Sequence, residues 1–190
     1  MTDLLDLHKY FIGQHLTEGG VVADFTMGNG NDTLFLSRMA GESGRVYAFD
    51  IQEAALVATR ERLEREDAPK NYTLIHDSHH RLLEYIHEPI NAGMFNLGYL
   101  PGSGKKEVTT KRETTLAAIE AAVSILAPDG IILIAVYPGH EEGAIEGRLI
   151  GELLSTFDRR KFSCARFNLM NSPTSPYFYL IEKSAKKSNN

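Results

Sequence analysis

A doubly wound α/β fold with a mostly parallel sheet is predicted by three observations. Short apolar runs alternate with amphipathic helical patterns five times between Gly19 and Gly139. Two glycines one residue apart, Gly28 and Gly30, follow the first apolar run in "DFTMGNGNDT", and an acid, Asp50, closes the second. Apolar strands joined by amphipathic helices make a parallel sheet covered on both faces. Ligands of such a sheet bind beyond the carboxyl ends of its strands, and the first strand-to-helix turn is the usual place.

Leu4, Leu5, Leu7, His8, Phe11 and Ile12 recur at helical spacing, so residues 1–17 hold a helix with one face on the body and His8 as a surface or half-buried residue. "GGVVADF" is the first strand, and "NDTLFLSRMAG" a helix ending near Gly41. "GRVYAFDI" is the second strand. The helix "QEAALVATRERLERED" follows, with Ala54, Leu56, Val57 and Leu63 on its packed side. "NYTLIH" is the third strand, "SHHRLLEYIHE" reads as helical, and "INAGMFNLGYL" contains the fourth strand. Pro101 to Lys111 is a loop rich in Gly and Lys. The helix "RETTLAAIEAAVSILAPDG" stops at Pro128 to Gly130 and feeds the strand "IILIAVYPG". After the helix "EGRLIGELLSTF", the segments "FSCARFNLM" and "YFYLIEK" are joined by the turn-rich "NSPTSP", which suits an antiparallel pair at the sheet edge.

The 190 residues and 21.1 kDa fit one domain over residues 1–190, with 184–190 as a flexible tail, because a chain of this size buries roughly 70% of its unfolded surface. A net charge of -5 argues against nonspecific coating of nucleic acid and leaves room for a local basic patch. Cys164 has no His or Asp spacing that would make it a nucleophile, so a small buried hydrophobe is expected. One cysteine excludes an intrachain disulfide and suits a reducing compartment, and the acidic N-terminus lacks a signal-peptide pattern. A soluble cytoplasmic protein is the expectation.

Glycine lets the Gly28–Gly30 backbone turn tightly against a ligand, while the helix after it presents free N–H groups and a positive dipole end. A pyrophosphate or the carboxylate of an amino-acid-like cofactor would fit. The dinucleotide fingerprint wants a third small residue where Thr33 stands, which disfavours NAD. Asp50 lies twenty positions beyond Gly30 (50 minus 30), where a carboxylate can accept both hydroxyls of a ribose. A tight turn and a helix-capping Asp50 would explain each feature singly. "PGSGKK" is not a phosphate loop, since Tyr99 and Lys106 stand where Gly and Ser or Thr are needed.

Asp24, four residues ahead of Gly28, gives the pattern acid, three residues, Gly, any, Gly, which resembles motif I of the S-adenosylmethionine-dependent methyltransferases. That resemblance implies a Rossmann-like class I methyltransferase fold with a seven-stranded sheet. It assigns the methionyl part of the cofactor to Met27, Gly28, Asn29, Gly30, Asn31 and Asp32, the ribose to Asp50 with Gln52, and the adenine amine to Asp77, Ser78 and His79. The usual first glycine of the motif is replaced by Thr26.

Asn96-Leu97-Gly98-Tyr99 occupies the place of the Asn/Asp-Pro-Pro-Tyr/Phe motif of amino-group methyltransferases, without its prolines. Its carbonyls could aim an amine at the methyl group while an aromatic ring stacks on a base, and positioning alone can lower a barrier by several kcal/mol. Asn96, Gly98 and Tyr99 are therefore candidate catalytic residues; a turn asparagine and an edge tyrosine are the plainer alternative. His140 could take the proton that an amine of pKa about 10 must shed. Lys105, Lys106, Lys111 and Arg112 form a basic island suited to RNA phosphates, with Tyr137 at the same rim; a solvated loop would look alike. Adjacent His79 and His80 point different ways and lack a third ligand, so no metal is expected.

The run "DFTMGNGNDT", "FDIQ", "DSHH", "NLGYLPGSGK", "YPGHEEG" and "NSPTSPYFYLIEK" is similar to one family, the YtqB-like (MnmM) methyltransferases, from Phe25 to Lys183. The resemblance implies a small enzyme without an added RNA-binding domain, a homodimer, that uses S-adenosylmethionine. The implied substrate is 5-aminomethyl-2-thiouridine at the wobble position of the tRNA anticodon stem-loop, and the implied product is 5-methylaminomethyl-2-thiouridine. The residues alone lead only to an amine or base methyltransferase acting on RNA, with ribosomal RNA, a small amine, or a non-catalytic RNA-binding role as alternatives.

Overall fold

The computed structural model describes residue 4 and residues 6–97, 112–139 and 141–185, with backbone alone at 112 and 113. Among the described residues seven strands form one sheet: β1 Val21–Asp24, β2 Arg45–Asp50, β3 Tyr72–His76, β4 Ile90–Leu97, β5 Leu126–Val136, β6 Phe162–Phe167 and β7 Tyr177–Lys183. Their order is β3-β2-β1-β4-β5-β7-β6. The first five run parallel, and β7 lies antiparallel to both β5 and β6. The chain therefore builds outward from β1 to β3, then restarts on the other side with β4, and this reversal opens a crevice beyond the ends of β1 and β4.

Alternation along the strands supplies two cores. Val22, Val46, Met94 and Leu133 face the helices α1 Asp6–His15 and α2 Asn31–Ala40, where Ile12, Leu16, Leu36 and Ala40 close one side. Ala23, Phe49, Phe95 and Ile134 face α4 Arg112–Ser124 and α5 Glu141–Ser155 on the other, together with a 3-10 helix at His79–Glu84. Strands apolar on both faces are what a doubly covered parallel sheet requires. Helix α3, Glu53–Arg65, packs beside α2 through Leu63 and Leu34.

Four details depart from the sequence reading. Helix α3 buries Ala55, Thr59 and Leu63 and leaves Ala54 and Val57 exposed, a rotation of about one residue (100°). The segment after β3 is a 3-10 helix of six residues, His79–Glu84, with Arg81 off helical geometry. Helix α4 ends at Ser124, because Ile125 and Leu126 pair with Ile90. Pro128 to Gly130 instead form an irregularity inside β5, with Asp129 at φ 61. His8 is buried at 5% exposure, neither at the surface nor half-buried. Cys164 is half-buried against the core, and burial pushes its thiol pKa up, which removes nucleophilic character.

Candidate active site

The turn after β1 is shaped by its acid. Asp24 is fully buried; its Oδ1 accepts the Thr26 N–H at 3.1 Å and its Oδ2 the Thr33 hydroxyl at 2.6 Å. Thr33, the residue that disfavoured a dinucleotide, is thus the clasp between strand and helix. Burial, with the nearby charge of Asp32, pushes the Asp24 carboxyl up to about 7. The chain then passes Gly28 at φ 50 and Gly30 at φ 75, backbone angles that side chains rarely adopt. A Cβ at Gly30 would stand 2.9 Å from Thr59 Cα, so glycine also permits the approach of α3.

The loop is tied on both sides. Gly28 N–H donates to Asp50 Oδ2 at 3.0 Å, while the Gly28 carbonyl accepts from Thr59 Oγ1 at 3.1 Å and the Asn29 carbonyl from Arg62 Nε at 2.6 Å. Carbonyls are drawn towards α3. Among the described residues no side chain caps α2, so the N–H groups of its first turn, at Asn31 and Asp32, have no intrahelical acceptor. Met27 is turned inward: its side chain is buried against Ala48 and Ala55, its N–H donates to the Phe49 carbonyl at 2.9 Å and its carbonyl accepts from the Gly30 N–H at 2.7 Å.

Asp50 ends β2 with Oδ1 accepting the Gln52 N–H at 3.0 Å. The Ile51 N–H also acts on this carboxylate, which keeps part of its acceptor capacity, and burial raises the carboxyl pKa against these N–H bonds. Gln52 precedes α3 without a side-chain cap bond. Beyond β3, Asp77 is committed to the local turn: it accepts from Ser78 N–H at 2.7 Å and Tyr85 hydroxyl at 2.7 Å, and pairs with Arg81 at 2.8 Å. The Tyr85 bond leads the causes that lower its pKa. Ser78 Oγ lies 2.7 Å from His80 Nδ1. His79, 6% exposed, donates from Nδ1 to the Phe25 carbonyl at 3.0 Å, which makes Nε2 the unprotonated acceptor. Burial lowers its pKa, and Nε2 has no partner among the described residues.

At the end of β4, Asn96 N–H donates to Thr26 Oγ1 at 2.7 Å and Asn96 Nδ2 to Asp32 Oδ2 at 2.6 Å. The strand ends of β1 and β4 are thereby fixed to each other across the crevice, with the Asn96 carbonyl oxygen left to accept. His8 Nε2 stands 3.8 Å behind Asp32 Oδ1. Burial works to raise the Asp32 pKa, but His8 and the Asn96 amide outweigh it and hold the carboxyl below its ordinary range.

Asn29, Gly30, Asn31, Asp32, Asp50, Gln52, Ser78, His79 and Asn96 thus lie along one edge of the sheet, at the carboxyl ends of β1 to β4. Gly98, Tyr99, Lys105, Lys106, Lys111 and His140 lie outside the described residues, as does the side chain of Arg112. Tyr137 is half-buried two residues before Gly139. Two residues that the motifs did not flag, Thr59 and His8, complete the arrangement, together with Thr26, which stands where the motif has its first glycine. Apolar neighbours at Phe11 and Ile12 hinted that His8 was buried; nothing in the sequence announced its carboxylate. Among the described residues no group of three or more His, Cys, Asp or Glu side chains is placed to hold a metal ion, and no helix is long and apolar enough to cross a membrane.

A family model described as "Putative rRNA methylase" matches residues 46–183. A protein of Arabidopsis thaliana named tRNA (mnm(5)s(2)U34)-methyltransferase, chloroplastic, is 36% identical over 180 residues, which cover 90% of this chain. The chain spans 65% of that relative's length. A "putative rRNA-methylase" of Clostridium thermocellum superposes with a TM-score of 0.92 at 38% identity, over 96% of this chain and 98% of the other. A "putative methyltransferase" of Streptococcus mutans, solved in complex with SAH, superposes with a TM-score of 0.87 at 38% identity, over 96% and 99%.

Proposed function

Given that the chain belongs to the rRNA methylase family and has the class I S-adenosylmethionine-dependent methyltransferase fold of its solved relatives, we propose that it methylates an amine on RNA. The substrate proposed is the exocyclic amine of 5-aminomethyl-2-thiouridine at the tRNA wobble position, giving 5-methylaminomethyl-2-thiouridine. The observation that carries the amine reading is the Asn96–Asp32 hydrogen bond. With one amide N–H held by the carboxylate, the Asn96 side chain is fixed with its Oδ1 free to accept, which matches an N–H donor. The name of the 36% identical relative supports the choice of nucleoside.

The crevice fits S-adenosylmethionine, which supplies a methyl group on a positively charged sulfur. The open N–H groups of Asn31 and Asp32 suit its carboxylate, the remaining lone pairs of Asp50 its ribose hydroxyls, and the unpartnered Nε2 of His79 an adenine amine. Asp24, Asp32 and Asp50 surround the loop, and their mutual repulsion is relieved by a cation. Asn96 Oδ1 accepts one amine N–H and turns the nitrogen lone pair towards the methyl carbon. In the transfer a neutral amine would form the N–C bond as the C–S bond broke, the electron pair would go to sulfur, and the product ammonium would release its proton to solvent.

The test is methyl transfer from labelled S-adenosylmethionine to bulk tRNA isolated with its wobble uridines unmethylated, followed by nucleoside mass analysis. Label in 5-methylaminomethyl-2-thiouridine is the expected result. Absence of transfer despite measurable cofactor binding would overturn the tRNA assignment and direct the search to ribosomal RNA or small amines.

A further inference from the structure

A second cleft opens on the same rim of the sheet, two strands beyond β4. Helix α5 lies close over β7 because Gly147 and Gly151, one turn apart, carry no side chain: a Cβ there would stand 2.1 Å from Tyr177 Oη and 2.6 Å from Tyr179 Oη. The Tyr179 hydroxyl donates to the Gly147 carbonyl at 3.0 Å. Beside this seat lies a cleft of about 470 Å³, lined by Pro138, Arg148, Glu152, Arg166, Pro173 and Tyr177 among others.

Its charge is carried by two arginines in a chain of net charge -5. The Arg166 guanidinium lies 4.1 Å from the Tyr177 ring centroid and has no carboxylate partner among the described residues. A guanidinium stacked on one face keeps its other face and its planar fork of donors for a base or a phosphate. Arg148 pairs with Glu152 at 2.6 Å, but both side chains are more than half exposed, and such a pair contributes little. Arg148 can therefore exchange its single bond to Glu152 for a phosphate, with which its fork can make two parallel bonds.

The register places this cleft relative to the crevice. Leu97, the neighbour of Asn96, pairs with Val136, and Val136 pairs with Tyr177, so the three stand level across β4, β5 and β7. At a strand spacing of roughly 4.8 Å the backbone of Tyr177 stands about 10 Å from that of Leu97, with the Tyr177 ring on the α4/α5 face and the Asn96 amide on the α1/α2 face, so that RNA reaches both by crossing the strand ends. A nucleotide flanking a target base spans such a gap; a free nucleoside does not.

We infer that the Arg148–Arg166–Tyr177 cleft binds the substrate RNA beside the modified nucleotide, one arginine taking a backbone phosphate and the Arg166–Tyr177 stack taking a phosphate or base. The inference rests on the RNA reading above. Its test compares wild type with the Arg148→Ala/Arg166→Ala double variant, and with Arg166→Lys, in binding unmethylated bulk tRNA across a salt series. The expected result is at least a tenfold rise in Kd for the double variant. Its salt slope should be shallower by about one to two counterions. Arg166→Lys should lie between, and cofactor affinity and melting temperature should stay at wild-type values. A double variant that binds tRNA like wild type overturns the cleft, and one that instead loses self-association assigns this face to a second copy of the chain. A wild-type protein that neither binds nor methylates tRNA strikes at the RNA reading itself, so the two failures are distinct.

Discussion

Asn96 is held by Asp32: its Nδ2 donates to Oδ2 at 2.6 Å, and the carboxylate is in turn backed by His8 at 3.8 Å. The orientation of the amide, and with it the position of the acceptor oxygen, depends on a residue from the glycine loop. Asp32→Ala should lower kcat by roughly 100-fold, the scale of a misplacement of about 1 Å, with a much smaller change in cofactor affinity. Asn96→Ala should lose at least as much. Single-turnover methyl transfer and cofactor titration separate the two quantities, and an Asp32→Ala enzyme with wild-type kcat would sink the positioning role.

Asp50 joins the glycine loop to the β2–α3 turn through Gly28 and Gln52 and keeps lone pairs for the ribose. Hydrogen bonds to a charged group contribute about 1.5–3 kcal/mol each. Asp50→Ala should therefore raise the Kd for S-adenosylmethionine by roughly 10- to 100-fold or more, measured by calorimetry. Unchanged affinity would remove the ribose assignment.

Asp24 sets a pH dependence of stability. Its carboxyl is raised from 3.8 to about 7 in the fold, chiefly by burial. Between those values the native state binds more protons than the unfolded state, so this residue's stabilising contribution is full below 3.8 and is lost as pH rises towards 7. Asp24→Asn, which keeps the shape and cannot ionise, should flatten that part of the stability curve. Denaturant melts of both proteins across the window check it, and parallel curves would refute the assignment.

Gly30 combines a left-handed backbone with a close neighbour. Gly30→Ala sets a Cβ 2.9 Å from Thr59 Cα at φ 75. The backbone cost alone is roughly 1–2 kcal/mol, which corresponds to a fall in Tm of about 2–8 °C for a domain of this size. Thermal unfolding measures it; a variant as stable as wild type would mean that the turn takes another path.

Sequence patterns reached the sheet and its antiparallel β6–β7 pair because Val, Ile and Leu runs flanked by Gly and Asp have few other readings. They misjudged α3 by one residue, since Ala54 and Val57 are as apolar as the Ala55 and Thr59 that pack. The end of α4 was missed because Ile125 to Ala127 suit a helix locally, and only pairing with Ile90 makes them a strand. At the site, Gly28, Gly30, Asp50 and Asn96 stand at motif spacings that mark them one by one. The partners of Thr26, Thr59 and His8 could not be marked: Thr26 meets Asn96 across 70 positions, and Thr59 meets Gly28 across 31. Such partners are created by the packing of strands and helices, which local spacing does not encode.

The two carbonyl grips on the glycine loop have a thermodynamic consequence. Thr59 and Arg62 belong to the chain, so the path of Gly28 and Asn29 is fixed by α3 and does not wait for a ligand. Binding then spends little free energy on immobilising the loop, and the site behaves as a preorganised dipole array whose affinity is not diluted by incompetent conformers. Lesions on α3 at Thr59 or Arg62 would release the Gly28 and Asn29 carbonyls and so act as an entropic levy on every binding event.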